Sequence, residues 1–250
     1  MSAGPVLLVT GGSRGIGAAV CVAAAKAGWR VAVNYATNRD AADAVVSAIE
    51  AVGGTAIAVQ GDVGSEADIQ AMFTAVDAAF GRLDGLVNNA GIVGPTARID
   101  EMSVDRLERM FRINVTGSIR CAAEAVRRMS TRYGGYGGAI VNISSAAAVL
   151  GSPAQYVDYA ASKGAIDTFT IGLAREVATE GIRVNAIRPG VIDTEIHASG
   201  GLPDRARDLA PTIPVQRPGT AEEVADAVLY LLSDKATYVT GAILNVSGGR

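Results

Sequence analysis

The chain has 250 residues, of which 49% are hydrophobic and 19% charged, and a formal net charge of -3, a composition that excludes an intrinsically disordered chain and suits one large globular domain. No run approaches the roughly 18 apolar residues of a membrane span, and the opening MSAGPVLLVT lacks the basic start of a signal peptide, so a cytoplasmic protein is expected. Without a run of Lys or Arg, neither a nucleic-acid nor a membrane partner is expected, because both depend on concentrated positive charge.

Short β-rich runs alternate with longer helical segments: Val6 to Val9, then Ile16 to Ala27; Arg30 to Asn34, then Arg39 to Val52; Thr55 to Val59, then Ser65 to Phe80. The rhythm continues with Gly85 to Asn88, helices within Val104 to Thr131, Ala139 to Ile143, the long segment Tyr156 to Thr179, Arg183 to Ile187, Ala221 to Leu232 and a last strand near Ala242 to Val246. This alternation predicts an α/β fold: a single-domain, Rossmann-type doubly wound sheet of about seven parallel strands with helices on both faces. Strands such as VLLV and AIVNI are continuously apolar, as burial on both faces requires. Thr220 and Glu223 have capping-box spacing, Ser65 is placed to cap the helix after it, and Gly28 and Gly53 are placed to end helices. Residues 194–218, with four prolines, break the rhythm and read as a substrate loop or a poorly ordered excursion. A glycine-rich stretch from Tyr133 to Gly138 reads as a flexible connection.

The first strand runs into Gly11-Gly12-Ser13-Arg14-Gly15-Ile16-Gly17. Glycines at 11, 15 and 17 in a strand-turn-helix context let the backbone turn tightly and approach a pyrophosphate at the positive end of a helix. The same stretch matches the G-x-S-x-G nucleophile elbow of hydrolases, with Ser13 as nucleophile. That reading needs preceding strands and a histidine base, whereas the only histidine, His197, lies in the irregular loop. Sites selective for NAD place an acidic residue at the end of the second strand; this chain has Asn34-Tyr35-Ala36-Thr37 there. Arg14, Asn38 and Arg39 are instead positioned to hold a 2′-phosphate, which predicts NADP(H) over NAD(H), with a solvated first-turn residue as the other reading of Arg39.

Tyr159 and Lys163 share one face of one helical turn. Bringing a tyrosine from a pKa near 10 to about 7 takes roughly 4 kcal/mol. A positive charge about 5 Å away, at an effective dielectric of about 20, supplies on the order of 3 kcal/mol, and a nicotinium ring adds more. A surface tyrosine packed on a lysine stem is the other reading of the pair. Ser144 and Ser145 close the preceding strand at the edge where ligands bind in open α/β sheets. Cys21 and Cys121 fall in separate helical stretches and are expected to be buried small side chains; with one histidine they cannot furnish a zinc site, and no metal is expected.

Together these residues resemble the short-chain dehydrogenase/reductase family, in its single-domain branch, over essentially the whole chain. Residues 10–17 look like its cofactor loop, Asp62-Val63 like its adenine-contact pair and Asn88-Asn89-Ala90-Gly91 like its NNAG motif; Arg188-Pro189-Gly190 and Tyr238-Val239-Thr240-Gly241 fit as well. The resemblance implies Tyr159 as general acid/base, Lys163 as the residue that lowers its pKa and binds the nicotinamide ribose, Ser145 as the group orienting the carbonyl, and Asn114 as the holder of a relay water. It implies cofactor contacts from Gly11, Ser13, Arg14, Gly15, Ile16, Gly17, Asn38, Arg39, Asp62, Val63, Asn89, Ala90, Gly91, Pro189, Gly190, Ile192 and Thr194, and a homotetramer. One feature departs from the family: its serine usually lies thirteen residues before the tyrosine, where this chain has Ala146. A one-residue insertion between Gly151 and Asp158 restores Ser145, with Ser144 as the alternative.

The chain also resembles 3-oxoacyl-acyl carrier protein reductases and bacterial glucose-1-dehydrogenase-like enzymes. Arg127, Arg128 and Arg132 would serve to dock an acidic carrier, but Glu180, near a position often basic in those reductases, argues against it. The expected substrate is therefore a small, mainly apolar carbonyl or secondary alcohol. Pocket walls are expected from Ile92, Val93, Val149, Leu150, Tyr156, Ile192, Ile196 and Leu202, with His197 as a substrate contact or a surface residue. A reading of another class is a non-catalytic, NADPH-binding regulatory module.

Overall fold

The computed structural model describes residues 4–195, 201–202 and 204–250. Seven strands form one sheet: β1 (Val6–Val9), β2 (Arg30–Tyr35), β3 (Thr55–Gln60), β4 (Gly85–Asn88), β5 (Gly138–Ile143), β6 (Ile182–Pro189) and β7 (Ile243–Val246). Their order is β3-β2-β1-β4-β5-β6-β7, and every neighbouring pair is parallel. The expected α/β, doubly wound sheet is present, and its strand order reverses between β1 and β4, the switch point outside which open sheets bind ligands.

The helices are α1 (Gly15–Lys26), α2 (Arg39–Ala51), α3 (Glu66–Phe80), α4 (Val104–Phe111), α5 (Ser118–Met129), α6 (Ala147–Leu150), α7 (Val157–Val177), α8 (Arg205–Leu209) and α9 (Ala221–Leu232). Successive strand side chains point to opposite faces, and the core divides accordingly. Leu7, Val9, Val31 and Val33 pack with Cys21 of α1, Ile49 of α2 and Val228 of α9. Val6, Leu8 and Leu86 pack on the other face with Phe73 of α3, Cys121 of α5 and Val177 of α7. The two cysteines therefore sit in separate layers, and burial pushes both thiols up, Cys121 to about 12. They act as small hydrophobes, as expected.

The predicted caps form. Ser65 accepts from Asp68 N–H, and Thr220 and Glu223 make a reciprocal capping box. Gly28 and Gly53 take positive φ just past their helices. Two expectations need correction. Residues 194–218 are not wholly irregular, since α8 and a 3-10 turn at Ala210–Thr212 lie within them. The glycine-rich stretch after Tyr133 is a closed turn, not a slack connection: Gly135 and Gly137 N–H donate to the carbonyls of Ser130 and Met129, and a Cβ on Gly135 would meet the Arg128 carbonyl at 2.4 Å. Between α4 and α5, Arg112–Gly117 form a π-helical turn that the sequence did not suggest.

Candidate active site

Because all strands are parallel, the segments following β1 to β6 share one edge of the sheet, and the site is assembled there. The glycine loop follows β1. Gly15 takes φ +52, which a side chain would strain, and a Cβ on Gly17 would lie 2.3 Å from the Gly11 carbonyl. Asn34 at the end of β2 accepts from Gly11 N–H at 3.0 Å and donates to the carbonyls of Val59 and Gly61, so it serves to tie the loop to the sheet. Thr10 Oγ1 accepts from the N–H groups of Asn89 and Ala90, and Asn89 Nδ2 donates to the carbonyls of Thr10 and Gly11. The NNAG residues thus clamp the glycine loop.

The start of α1 is chemically different from the other long helices entered from extended loops. Helices α2, α3, α4 and α9 are capped by Asn38, Ser65, Ser103 and Thr220, whereas no side chain caps α1 and its first turn holds no acidic residue. Uncapped amides at the positive end of a helix, approached by side-chain-free backbone, fit the pyrophosphate of a dinucleotide.

At the next segments along the edge, Arg14 is exposed and forms no ion pair among the described residues. Arg39 pairs with Asp43 at 3.2 Å, and Asn38 spends its side-chain oxygen on Ala41 N–H. Asp62 is exposed and accepts from Gly64 N–H at 2.8 Å; Val63 is buried beside it. These residues and Ser13 lie outside the cleft that contains Tyr159.

Ile16, Asn89, Gly91, Pro189, Gly190, Ile192 and Thr194 line that cleft together with Ser145, Tyr159 and Lys163. Lys163 is buried, donates to the Ile143 carbonyl at 2.7 Å, and lies 5.7 Å from the centre of the Tyr159 ring. Burial lowers its pKa to about 8 against the opposing pull of Asp167. Burial also raises the Tyr159 phenol to about 12, with a hydrogen bond from Ser145 in the opposite direction. The protein without cofactor thus holds the phenol neutral, whereas the expected lowering draws on the lysine together with a bound nicotinium ring.

Ser145, not Ser144, faces Tyr159. Ser144 is buried and donates to the Lys163 carbonyl, whereas the Ser145 hydroxyl accepts from Ala147 N–H at the start of α6 and bonds to the phenol. Asn114 is buried in the π-helical turn. Its amide embraces Ile92, accepting from the N–H at 2.8 Å and donating to the carbonyl at 2.9 Å, and it also donates to Ser162. Asn114 thereby fixes the chain just beyond Gly91.

Val93, Leu150, Tyr156, Ile192 and Leu202 line the cleft as expected. Val149 does not, pointing into solvent at 63% exposure, nor does Ile92. Ile196 and His197 lie outside the described residues. Two features escaped sequence reasoning. Asp158, fully buried beside Tyr159, accepts a two-pronged ion pair from Arg106 of α4 at 2.8 and 3.2 Å, and Arg106 also donates to the Pro95 carbonyl. The pair locks the first turn of α7 to the cleft wall after Gly91; the only signal for it was a carboxylate next to Tyr159 on a helix. Arg205 and Arg250 also line the cleft, and nothing in their spacing announced it.

A family model described as Enoyl-(Acyl carrier protein) reductase matches residues 11–250. The chain is 53% identical over 245 residues to an uncharacterized oxidoreductase of Escherichia coli strain K12, covering 98% of this chain and 99% of that one. It is 40% identical to a 3-oxoacyl-[acyl-carrier-protein] reductase of Synechocystis, covering 98% and 96%. A short-chain dehydrogenase from Burkholderia cenocepacia, solved in complex with NADP, superposes with a TM-score of 0.89 at 35% identity, covering 98% and 97%. With this sheet, this glycine loop and these relatives, the chain belongs to the short-chain dehydrogenase/reductase family and is an oxidoreductase of the kind that binds a nicotinamide cofactor.

Proposed function

We propose that the protein is an NADP(H)-dependent oxidoreductase that interconverts a carbonyl and a secondary alcohol on a small substrate, with Tyr159 as general acid/base. The observation that carries this reading is the convergence of Ser145, Tyr159 and Lys163 in one cleft beside an uncapped, glycine-lined helix start. When bound, a nicotinamide cofactor would supply the hydride in reduction and accept it in oxidation. Tyr159 gives its proton to the carbonyl oxygen, and Ser145 orients that oxygen by a hydrogen bond. Burial keeps the phenol protonated, the form that reduction needs, and the Lys163 ammonium stabilises the phenolate left behind. Asn114 positions the Gly91 turn.

An acyl carrier protein is the less favoured substrate carrier. Of the arginines that would dock it, Arg128 is held by Asp77 and Glu124, Arg127 pairs with Glu124, and Arg132 lies 4.0 Å from Glu180, so little free positive charge faces an acidic partner. The small residues of α7, among them half-buried Gly164 and exposed Gly172 with open space above them, support assembly as a homotetramer.

Titration with NADPH and NADH, followed by nicotinamide fluorescence, tests the cofactor assignment. NADPH is expected to bind at least about tenfold more tightly, as one charge-assisted contact to a phosphate provides. Arg14→Gln should remove most of that preference and Arg39→Gln less, because Arg39 already has Asp43 as partner. A preference for NADH overturns the NADP assignment, and binding of neither overturns the proposed function. Replacement of each serine tests the geometry of the catalytic group: Ser145→Ala should lower kcat about a hundredfold, and Ser144→Ala less than fivefold by loss of its bond to α7. The reverse order would reassign the active serine.

A further inference from the structure

The cleft is charged in one direction only. Among the described residues that line it there is no Asp or Glu, but there are three cations, Lys163, Arg205 and Arg250. This imbalance stands out in a chain with a net charge of -3. Lys163 is engaged below the phenol by the Ile143 carbonyl. Arg205 forms no ion pair among the described residues: its Nη2 donates to Gln155 Oε1 at 2.8 Å, a neutral partner, and its guanidinium lies 5.1 Å from the centre of the Tyr156 ring. The adjacent Asp204 pairs with Arg207 instead.

The fold puts Arg205 here deliberately. It is the first residue of α8, and the chain beyond α8 is fastened to the C-terminal segment, where Val215 N–H donates to the Gly248 carbonyl and Pro214 packs beside Gly249. That closure brings Arg250 to the same rim; burial raises the Tyr156 phenol, and both guanidiniums pull it the other way. Tyr156 in turn meets Tyr159 edge to face, with ring centres 6.1 Å apart. One aromatic ring therefore separates the Arg205 guanidinium from the reacting phenol.

We infer, resting on the oxidoreductase reading above, that the substrate carries an anionic group a few bonds from its carbonyl and that Arg205 holds it across Tyr156. The substrate class is then a short oxo acid, or an oxo compound bearing a phosphate ester, reduced to the corresponding hydroxy compound. The apolar walls Val93, Leu150 and Leu202 accept the carbon chain between the two ends. Arg205 is a specificity-determining residue in this arrangement.

Matched pairs test it in the NADPH-loaded enzyme: acetoacetate against its methyl ester, and dihydroxyacetone phosphate against dihydroxyacetone. The anionic member of at least one pair should have a kcat/KM at least about tenfold higher, expressed in KM. Which pair responds separates carboxylate from phosphate. Arg205→Gln should bring the ratio to about one, and Arg205→Lys should keep part of it. Equal rates within both pairs, or a ratio unchanged in Arg205→Gln, overturns the inference. If neutral aldehydes turn over and no anionic compound does, the inference fails while the proposed function stands. If no carbonyl turns over, the proposed function fails, and calorimetry of acetoacetate and dihydroxyacetone phosphate with NADP+ present decides the inference separately: binding lost in Arg205→Gln supports it, and absence of binding overturns it.

Discussion

Tyr159→Phe should lower kcat by about a thousandfold or more while NADPH binds within about twofold of the unaltered protein, because a positioned general acid contributes about a hundred- to ten-thousandfold and the change removes one oxygen only. The rest of the site should survive. Ser145 keeps its bond from Ala147 N–H, and Asp158 keeps its ion pair with Arg106, so the start of α7 stays in place. Stability should not fall much, since the phenol is already kept neutral by burial. Steady-state rates with any turned-over carbonyl, beside a fluorescence titration of cofactor, check both halves. A variant that retains a tenth of kcat would remove Tyr159 from proton transfer, whereas loss of cofactor binding along with activity would make it a binding residue.

The parts of the fold legible in the sequence are those set by local rules. Continuous apolar runs identified the buried strands, and Ser65, Thr220, Gly28 and Gly53 marked helix ends because capping is decided within a few residues. The grouping of Ser145, Tyr159 and Lys163 was legible because strand ends in a parallel sheet share one edge. Features made by contacts between distant segments were not. The Arg106–Asp158 pair joins residues far apart in the chain, and the arrival of Arg205 and Arg250 at one rim depends on the closure between Val215 and Gly248. The π-helical turn around Asn114 escaped because its sequence, RINVTG, has no composition of its own. Charge separation along one helix gave no sign of the burial that raises the phenol in the protein without cofactor, because that burial comes from the surrounding protein.

That burial sets up an opposition between activity and stability at Lys163. Lys163→Met should lower kcat/KM by at least about a hundredfold, since the ammonium stabilises the phenolate, and yet the cofactor-free variant should be no less stable than the parent at pH 7. The folded-state pKa of Lys163 is depressed from 10.5 to about 8, so below pH 8 the lysine is charged in both states and the net cost of burying its charge beside Asp167, about 3 kcal/mol, opposes folding. Above pH 8 the folded lysine loses its proton while the unfolded one keeps it, so the unfolded state binds more protons and stability rises with pH. Above about 10 the gain is countered by Tyr159, which in the unfolded chain ionises near its ordinary value but in the folded protein stays neutral up to about 12. From about pH 9 the buried Cys21 and Cys121 act as Tyr159 does, their thiols ionising in the unfolded chain but not in the folded one, so the Lys163 contribution is read in the difference between parent and variant from pH 8 to 10. In methionine's favour stands the removed charge, and against it the Ile143 carbonyl left without its donor, a loss of about 1 to 3 kcal/mol. Denaturant midpoints at pH 7, 8 and 10 should show the parent gaining stability relative to Lys163→Met across that window, the cysteine and tyrosine contributions being common to both. A parent-to-variant difference that is flat from pH 8 to 10 would mean that Lys163 titrates near its ordinary value and holds its charge at little cost. The ammonium would then be fully present at neutral pH, and the lysine's hold on the Tyr159 phenolate would be stronger than its burial implies.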